Sequence, residues 1–336
     1  MLEAIPPIVL AALAILFGFV ALIWSADRFV AGAAAIASSF GVAPLVIGLT
    51  IVSFGTSAPE VMVSINASLK NAGDLAIGNA LGSNIANIGL VLAVTCLIVP
   101  IPVQKHVLLH EAPVLLIVTL IAGLILYDGT ISLVDGCILL GLLIPSIFYI
   151  VKCKQKDLSE EEIAEEEAQV QKTSTPKAIF WFLLGLVALM YSSDMLVWGA
   201  RNVAEHYSVS PLIIGLTVIA IGTSLPELAA SVVSAIKGHH DIALGNIVGS
   251  NIFNLLAVMG IPGLISPPSI GEEVFYRDYL IMLAITVALI ALIIFSLRNS
   301  FGSNTIDSKA RIGRFAGAFM LLSYLGYYFY LFSFSV

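Results

Sequence analysis

Two glutamates, Glu60 and Glu227, each lie inside a long apolar stretch of the sequence. Each closes the same hexapeptide, Gly-Thr-Ser-x-Pro-Glu, at 55–60 and 222–227. An ionisable side chain at the centre of a membrane helix costs about 2.5–3.5 kcal/mol on insertion scales, and such residues usually mark the path of an ion or a substrate. We therefore take the two glutamates as candidates for a cation site.

The residues around each glutamate supply further oxygen atoms. A threonine precedes each glutamate by four residues, so the two side chains share a helix face. The proline before each glutamate has no N–H to donate, which frees the carbonyl four residues earlier. Hard cations bind this mixture of carboxylate, hydroxyl and carbonyl oxygens. The hydroxyl groups of the two turns belong to Thr56, Ser57, Thr223 and Ser224.

A second pattern, Gly-Ser-Asn-Ile-x-Asn, also occurs twice. It places Ser83 four residues before Asn87, and Ser250 four residues before Asn254. Each pair therefore lies on one helix face. We expect these polar residues to line the same site as the glutamates.

Both patterns belong to one duplicated segment. Residues 42–92 and 209–259 align without a gap at an offset of 167, and 24 of the 51 positions are identical. Small and hydroxyl residues alone are common helix-packing devices in membranes. Two glutamates at equivalent places in two copies are harder to attribute to packing, and they predict one site built by both halves.

The composition predicts an integral membrane protein. Of the 336 residues 59% are hydrophobic and 11% are charged, against about 25% charged in a soluble domain. Apolar runs of spanning length recur along the chain without the alternation of a β-barrel. The ten predicted spans are 5–27, 42–69, 75–99, 107–127, 131–151, 178–200, 209–236, 242–265, 278–297 and 312–334.

We predict an all-α membrane fold of ten transmembrane helices, divided into two five-helix repeats. The repeats are residues 1–151 and 178–336, and an acidic linker, 152–177, joins them. Because five is odd, the second repeat should have inverted topology. On this layout the side of the N-terminus holds 3 basic residues and the other side 12, out of 15. The positive-inside rule then predicts a cytoplasmic linker and both termini outside. The short linker suits a prokaryotic plasma membrane, so we expect the protein in the inner membrane of a bacterium.

Other classes of function find little support in the sequence. It contains no phosphate-binding loop, dinucleotide fingerprint or nucleic-acid module, so we expect no cofactor, no enzymatic activity and no nucleic-acid partner. The three cysteines lack the spacing of a metal site. The expected partners are membrane lipid and transported cations, with no obligatory protein partner.

The duplicated segments resemble the two α-repeats of the calcium/cation antiporter superfamily, in particular the sodium/calcium exchanger branch and its bacterial relatives. This resemblance implies that calcium and sodium bind alternately at the repeat glutamates. It implies ligands from six side chains, with backbone oxygens near Ser53 and Ala220, and a central site lined by Asn87 and Asn254. The six side chains are those of Glu60, Glu227, Thr56, Thr223, Ser83 and Ser250.

The expected function is therefore exchange of calcium for sodium by alternating access. Calcium/proton exchange in the same fold is an alternative, because buried glutamates also carry protons. A cation channel is an alternative of another class, which would need a continuous pore. One position departs from part of the superfamily: some members, including the potassium-dependent branch, have an acid where this chain has Asn254. Since asparagine carries no charge, we expect exchange that is independent of potassium.

Overall fold

The computed structural model describes residues 6–40, 44–157, 174–207, 220–301 and 310–334, and these are almost entirely helical, as predicted. The acidic run of the linker lies outside the described residues. The helices are α1 (Pro7–Phe40), α2 (Gly48–Thr56, directly preceded by the α-helical segment Pro44–Ile47), α3 (Ala58–Leu69), α4 (Gly73–Ile98), α5 (Val107–Leu126), α6 (Leu133–Asp157), α7 (Thr175–His206), α8 (Ala220–Thr223), α9 (Leu225–Ile236), α10 (His240–Ile265), α11 (Val274–Tyr279 continued by Leu280–Phe301) and α12 (Arg314–Phe334).

Seven of these helices are long and apolar enough to cross a membrane: α1, α4, α5, α6, α7, α10 and α11. The pair α2 and α3, which is bent by 51°, adds an eighth if the two helices together form one span. The helix α9 is too short by itself, and residues 208–219 before it lie outside the described part of the chain. The number ten and the inverted repeats therefore stay predictions.

Each proline of the duplicated hexapeptide stands just after a helix break. The helix α2 ends at Thr56 and α3 begins at Ala58, and α8 and α9 are separated in the same way at Ser224. Proline suits the first turn of a helix, because its missing N–H would have no partner there. Glu60 and Glu227 consequently lie in first turns, where the unpaired N–H groups stabilise a carboxylate.

The other duplicated pattern coincides with a change in helix geometry. In α4 the segment Asn87–Leu92 is a π-helix, and in α10 so is Asn254–Val258. Single-turn π segments inside α-helices are frequent at functional sites. Both begin at an asparagine that the sequence analysis predicts to line the site.

Glycines allow equivalent helices of the two halves to touch. In α1 and α7, Gly32 lies against the Phe182 backbone and Gly185 against the Phe29 backbone. The early part of one helix meets the late part of the other, so the two helices run antiparallel. At the ends of the bundle, the short strands β1 (Ile101–Pro102) and β2 (Arg311–Ile312) pair antiparallel.

Gly249 brings α10 against α2. A Cβ atom there would lie 2.6 Å from the Leu49 carbonyl oxygen and 2.7 Å from the Ser53 hydroxyl. We expect Gly249→Ala to destabilise the protein by about 1–3 kcal/mol, the usual cost of overpacking. Thermal unfolding in detergent measures this effect. Gly78→Ala is the matched control, since a Cβ at Gly78 meets nothing within 4 Å among the described residues. Equal melting temperatures for the two variants would contradict the close approach.

Candidate functional site

Glu60 and Glu227 come together at the centre of the molecule. Both side chains are fully buried, with 0% of their surface exposed, and they are close enough to interact electrostatically. Two buried carboxylates near each other are costly unless cations or hydrogen bonds compensate them. The arrangement is therefore suited to binding positive charge.

Hydrogen bonds link the two halves directly at the glutamates. The Ser57 hydroxyl donates to Glu227 Oε1 at 3.0 Å. The Thr56 hydroxyl donates to Asn246 Oδ1 at 3.1 Å, and Asn246 Nδ2 donates to the Ser231 hydroxyl at 2.9 Å and to the Glu227 carbonyl at 3.4 Å. The threonine of the first copy is thus tied to the helix that carries the glutamate of the second.

Glu60 is held in a different way. Its backbone carbonyl accepts a hydrogen bond from Asn79 Nδ2 at 3.3 Å, which is the counterpart of the Asn246 contact. Neither of its carboxylate oxygens has a hydrogen-bond partner in the described part of the chain, although Ser83 is adjacent. A buried carboxylate with two unpaired oxygens has its full capacity for a cation.

The residues of the second pattern are also buried. Ser83, Asn87, Ser250 and Asn254 are each at most 4% exposed. The π segment at Asn87 packs against α9, and the one at Asn254 packs against α3. Within the described residues both side-chain amides and the Ser250 hydroxyl have no hydrogen-bond partner. Buried polar atoms usually have partners, so this set of donors and acceptors fits a site for a polar guest.

Ser53 and Ala220 are the two positions whose backbone oxygens the resemblance implies as ligands. The Ser53 hydroxyl donates a hydrogen bond to the Leu49 carbonyl at 2.7 Å. The Ser53 carbonyl accepts a hydrogen bond from the N–H of Ser57 at 3.0 Å. The Thr56 hydroxyl also lies 3.4 Å from that carbonyl oxygen, so a cation bound there would share the atom with these two donors. Ala220 is the first residue of α8.

Asn79 and Asn246 are functional candidates that the sequence reasoning did not single out. The available signal was their identity in the duplicated Gly-Asn pairs at 78–79 and 245–246. Asn79 donates to the Glu60 carbonyl and Asn246 to the Glu227 carbonyl, so in each copy the amide ties the helix of the second pattern to the helix that carries the glutamate.

A crevice of about 510 Å³ lies beside the glutamate-bearing segments on one side. Pro59 and Thr223 line it beside the site, and Asn66 and Lys70 line it farther along α3. Asp194 of α7 forms part of the opposite wall. The crevice therefore connects the neighbourhood of Glu60 to the end of the bundle that holds Lys70.

The equivalent interface on the other side is closed. There α1 packs along α9, and Ala26, Val30 and Ala230 are buried between them. Lys237, at the end of α9, forms an ion pair with Asp27 of α1 at 2.7 Å. The two sides of the site differ in access although their sequences are duplicated.

No three residues among the described histidines, cysteines, aspartates and glutamates cluster so that they could hold a metal ion. A cation at the central site would consequently depend on two carboxylates, and the remaining ligands would be neutral oxygens. Such ligand sets suit hard cations such as calcium and sodium, rather than zinc or copper.

Comparison with known proteins gives concordant matches. The family model described as sodium/calcium exchanger protein matches residues 10–152 and 177–333. The protein CaxA of Alkalimonas amylolytica is 44% identical over 95% of this chain and 98% of its own length. The inner membrane protein YrbG of Escherichia coli (strain K12) is 42% identical over 83% of this chain and 87% of its own length.

A solved structure has the same fold. The sodium-calcium exchanger NCX_Mj, soaked with zero Na⁺ and Ca²⁺, superposes with a TM-score of 0.79 at 30% sequence identity. The match covers 94% of this chain and 97% of the other. The likeness therefore extends through both duplicated segments and the helices around them.

Proposed function

Because this chain belongs to the sodium/calcium exchanger family, we propose that it is a secondary active antiporter that exchanges calcium for sodium by alternating access. The observation that carries the proposal is the pair of fully buried glutamates, one from each copy. The Ser57–Glu227 hydrogen bond joins the copies at that point. Members of this family are transporters, not enzymes.

The charge of the site accounts for exchange. One calcium ion, or two sodium ions, neutralises the charge of Glu60 and Glu227. An empty site would carry two uncompensated carboxylates through the low-dielectric core, which costs several kcal/mol. The loaded forms should therefore interconvert readily and the empty form rarely, so that calcium moves only in exchange.

We assign the cation ligands to the residues that the two patterns bring together. The Ser57 hydroxyl donates a hydrogen bond to Glu227, and Ser224 is the equivalent of Ser57 in the second copy. We therefore add both serines to the ligands that the resemblance implies. The proposed ligands and lining residues are Glu60, Glu227, Thr56, Thr223, Ser57, Ser224, Ser83, Ser250, Asn87 and Asn254, with backbone oxygens near Ser53 and Ala220.

We further propose ten membrane spans in two inverted repeats of residues 1–151 and 178–336. The antiparallel contact of α1 and α7 supports this arrangement, because these helices are equivalent in the two halves. The positive-inside count favours a cytoplasmic linker at 152–177 and external termini. The crevice at Lys70 then opens to the outside. The match to an inner membrane protein supports a bacterial inner membrane.

Calcium/proton exchange is the second candidate. It is favoured by Glu60, whose two carboxylate oxygens have no hydrogen-bond partner among the described residues and could accept a proton. The hydroxyl groups of Thr56, Ser57 and Ser83 favour sodium instead, because a proton needs no such cage of neutral oxygens.

Uptake of ⁴⁵Ca into proteoliposomes separates the two candidates. One set of vesicles is loaded with Na⁺, and another with choline under an imposed pH gradient. We expect uptake that requires internal Na⁺ and saturates with external calcium. Uptake driven by the pH gradient alone would establish proton coupling, and unsaturated flux without a counter-ion would indicate a channel.

Potassium should have no effect on this uptake. The site has two formal negative charges because Asn254 is neutral, and calcium alone balances them. We expect equal initial rates with external K⁺ and with choline at the same ionic strength, with the membrane potential clamped by an ionophore. A requirement for K⁺ would mean that a further anionic group contributes to the site.

A further inference from the structure

We propose that two aspartate–lysine pairs close the site alternately, Asp27 with Lys237 on one side and Asp194 with Lys70 on the other. This inference rests on the proposed function, since two closed states are needed only if access alternates. It adds gate residues outside the cation site itself.

The first pair is closed in the structure. Lys237 Nζ lies 2.7 Å from Asp27 Oδ1 and also donates to the Asp27 carbonyl at 3.1 Å. The pair fastens the end of α9 to the middle of α1, above the sealed packing of Ala26 and Ala230. It thus stands at the edge of the interface that blocks access from this side.

The second pair is open. Asp194 and Lys70 occupy the positions equivalent to Asp27 and Lys237, at the same offset of 167 that relates the duplicated segments. Both line the crevice, Asp194 from α7 and Lys70 from the end of α3. In the described part of the chain they form no ion pair with each other. The same residue types therefore close one side and flank an opening on the other.

The duplication gives this contrast a physical meaning. If the repeats exchange conformations, α7 would pack along α3 as α1 now packs along α9, and Asp194 would meet Lys70. One ion pair would form as the other breaks, so both states would contain the same number of ion pairs. Matched pairs of this kind keep two states close in free energy, which a carrier requires to populate both.

The strength of the observed pair suits a gate. The side chains of Lys237 and Asp27 are 29% and 44% exposed, and ion pairs of this exposure shift an equilibrium constant by up to about five-fold. An ion pair of this strength favours the closed state but can still break when the protein changes conformation.

Cysteine labelling tests the proposal without depending on calcium transport. The background carries Cys137→Ser and Cys153→Ser, while Cys96 is buried. Asn66→Cys reports on the open crevice, and Val233→Cys reports on the equivalent position of the sealed interface. Each reporter is treated with a membrane-impermeant thiol reagent from its own side.

Neutralising Asp27 should change the accessibility of the two reporter cysteines in opposite directions. We expect Asp27→Asn to slow labelling of Asn66→Cys and to speed labelling of Val233→Cys, so that the ratio of the two labelling rates changes by up to about five-fold. Asp194→Asn should not slow the crevice reporter, because its pair is already open. Exchanging the charges, with Asp27→Lys and Lys237→Asp together, should restore the original rates.

The outcomes separate the gates from the exchange activity. Unchanged labelling in Asp27→Asn, or a rise at both reporters that indicates general loosening, would overturn the gates even if calcium exchange is intact. Opposite shifts at the two reporters would support the gates, and they would do so even if the transported cation proved not to be calcium.

Discussion

Replacing Glu60 with glutamine is expected to reduce sodium-driven calcium uptake by at least one hundred-fold, and Glu227→Gln should do the same. Glutamine keeps the shape of the side chain and removes one of the two charges that balance calcium. An unpaired charge buried in this way costs about 3–5 kcal/mol, and every 1.4 kcal/mol is about ten-fold. The measurement is the initial rate of ⁴⁵Ca uptake into Na⁺-loaded proteoliposomes, normalised to the reconstituted protein.

Glu205→Gln is the matched control for this experiment. Glu205 lies on the exposed end of α7 and pairs with Arg201 at 2.8 Å, four residues earlier. Pairs of this kind contribute less than about 1 kcal/mol, so uptake should stay close to that of the parent protein. Normal uptake in both Glu60→Gln and Glu227→Gln would show that the buried glutamates are structural and would refute the proposed site.

Melting temperatures of two variants at position 227 test the hydrogen bond that holds Glu227. Glu227 receives a hydrogen bond from Ser57, whereas the carboxylate oxygens of Glu60 have no such bond within the described residues. In Glu227→Gln the Ser57 hydroxyl can still donate to the amide oxygen. We therefore expect Glu227→Gln to lose less thermal stability than a change that removes this acceptor, such as Glu227→Leu.

Much of the fold was predictable because membrane helices are encoded locally. Apolar runs of spanning length placed most helices within a few residues of their bounds, for example 107–127 for α5 (Val107–Leu126). The end of α1 was missed by thirteen residues, since the prediction stopped at 27 and the helix runs to Phe40. Charged residues after position 25 suggested the end of a span, although the chain stays helical there.

The duplication predicted equivalent glutamates but not the asymmetry around them. The duplication placed Glu60 opposite Glu227 as equivalents, and both are buried in the structure. An alignment treats the two copies alike, so it gave no sign that Asp27 is paired while Asp194 lines an open crevice. That difference arises from long-range packing of α1 on α9, which a local pattern does not specify.

A third negative charge at the central site is expected to impair exchange strongly and in a way that other cations can reverse. Asn254→Asp places a carboxylate at the start of the buried π segment of α10. With one calcium bound the site would keep a net charge of −1, and moving that charge through the core costs several kcal/mol. We expect calcium uptake at pH 8 to fall by about one hundred-fold or more.

The same charge balance gives a diagnostic rescue. A proton on the introduced aspartate, or a monovalent cation beside it, would return the calcium-loaded site to neutrality. Uptake by Asn254→Asp should therefore rise on lowering the pH to 6, or on adding K⁺, under conditions in which the parent protein does not respond. Asn254→Ser removes the amide without adding charge, so its loss should be insensitive to both treatments. An equal response of the two variants would mean that the size of the side chain, and not the charge of the site, decides the rate, and the charge-balance account of obligatory exchange would then fail.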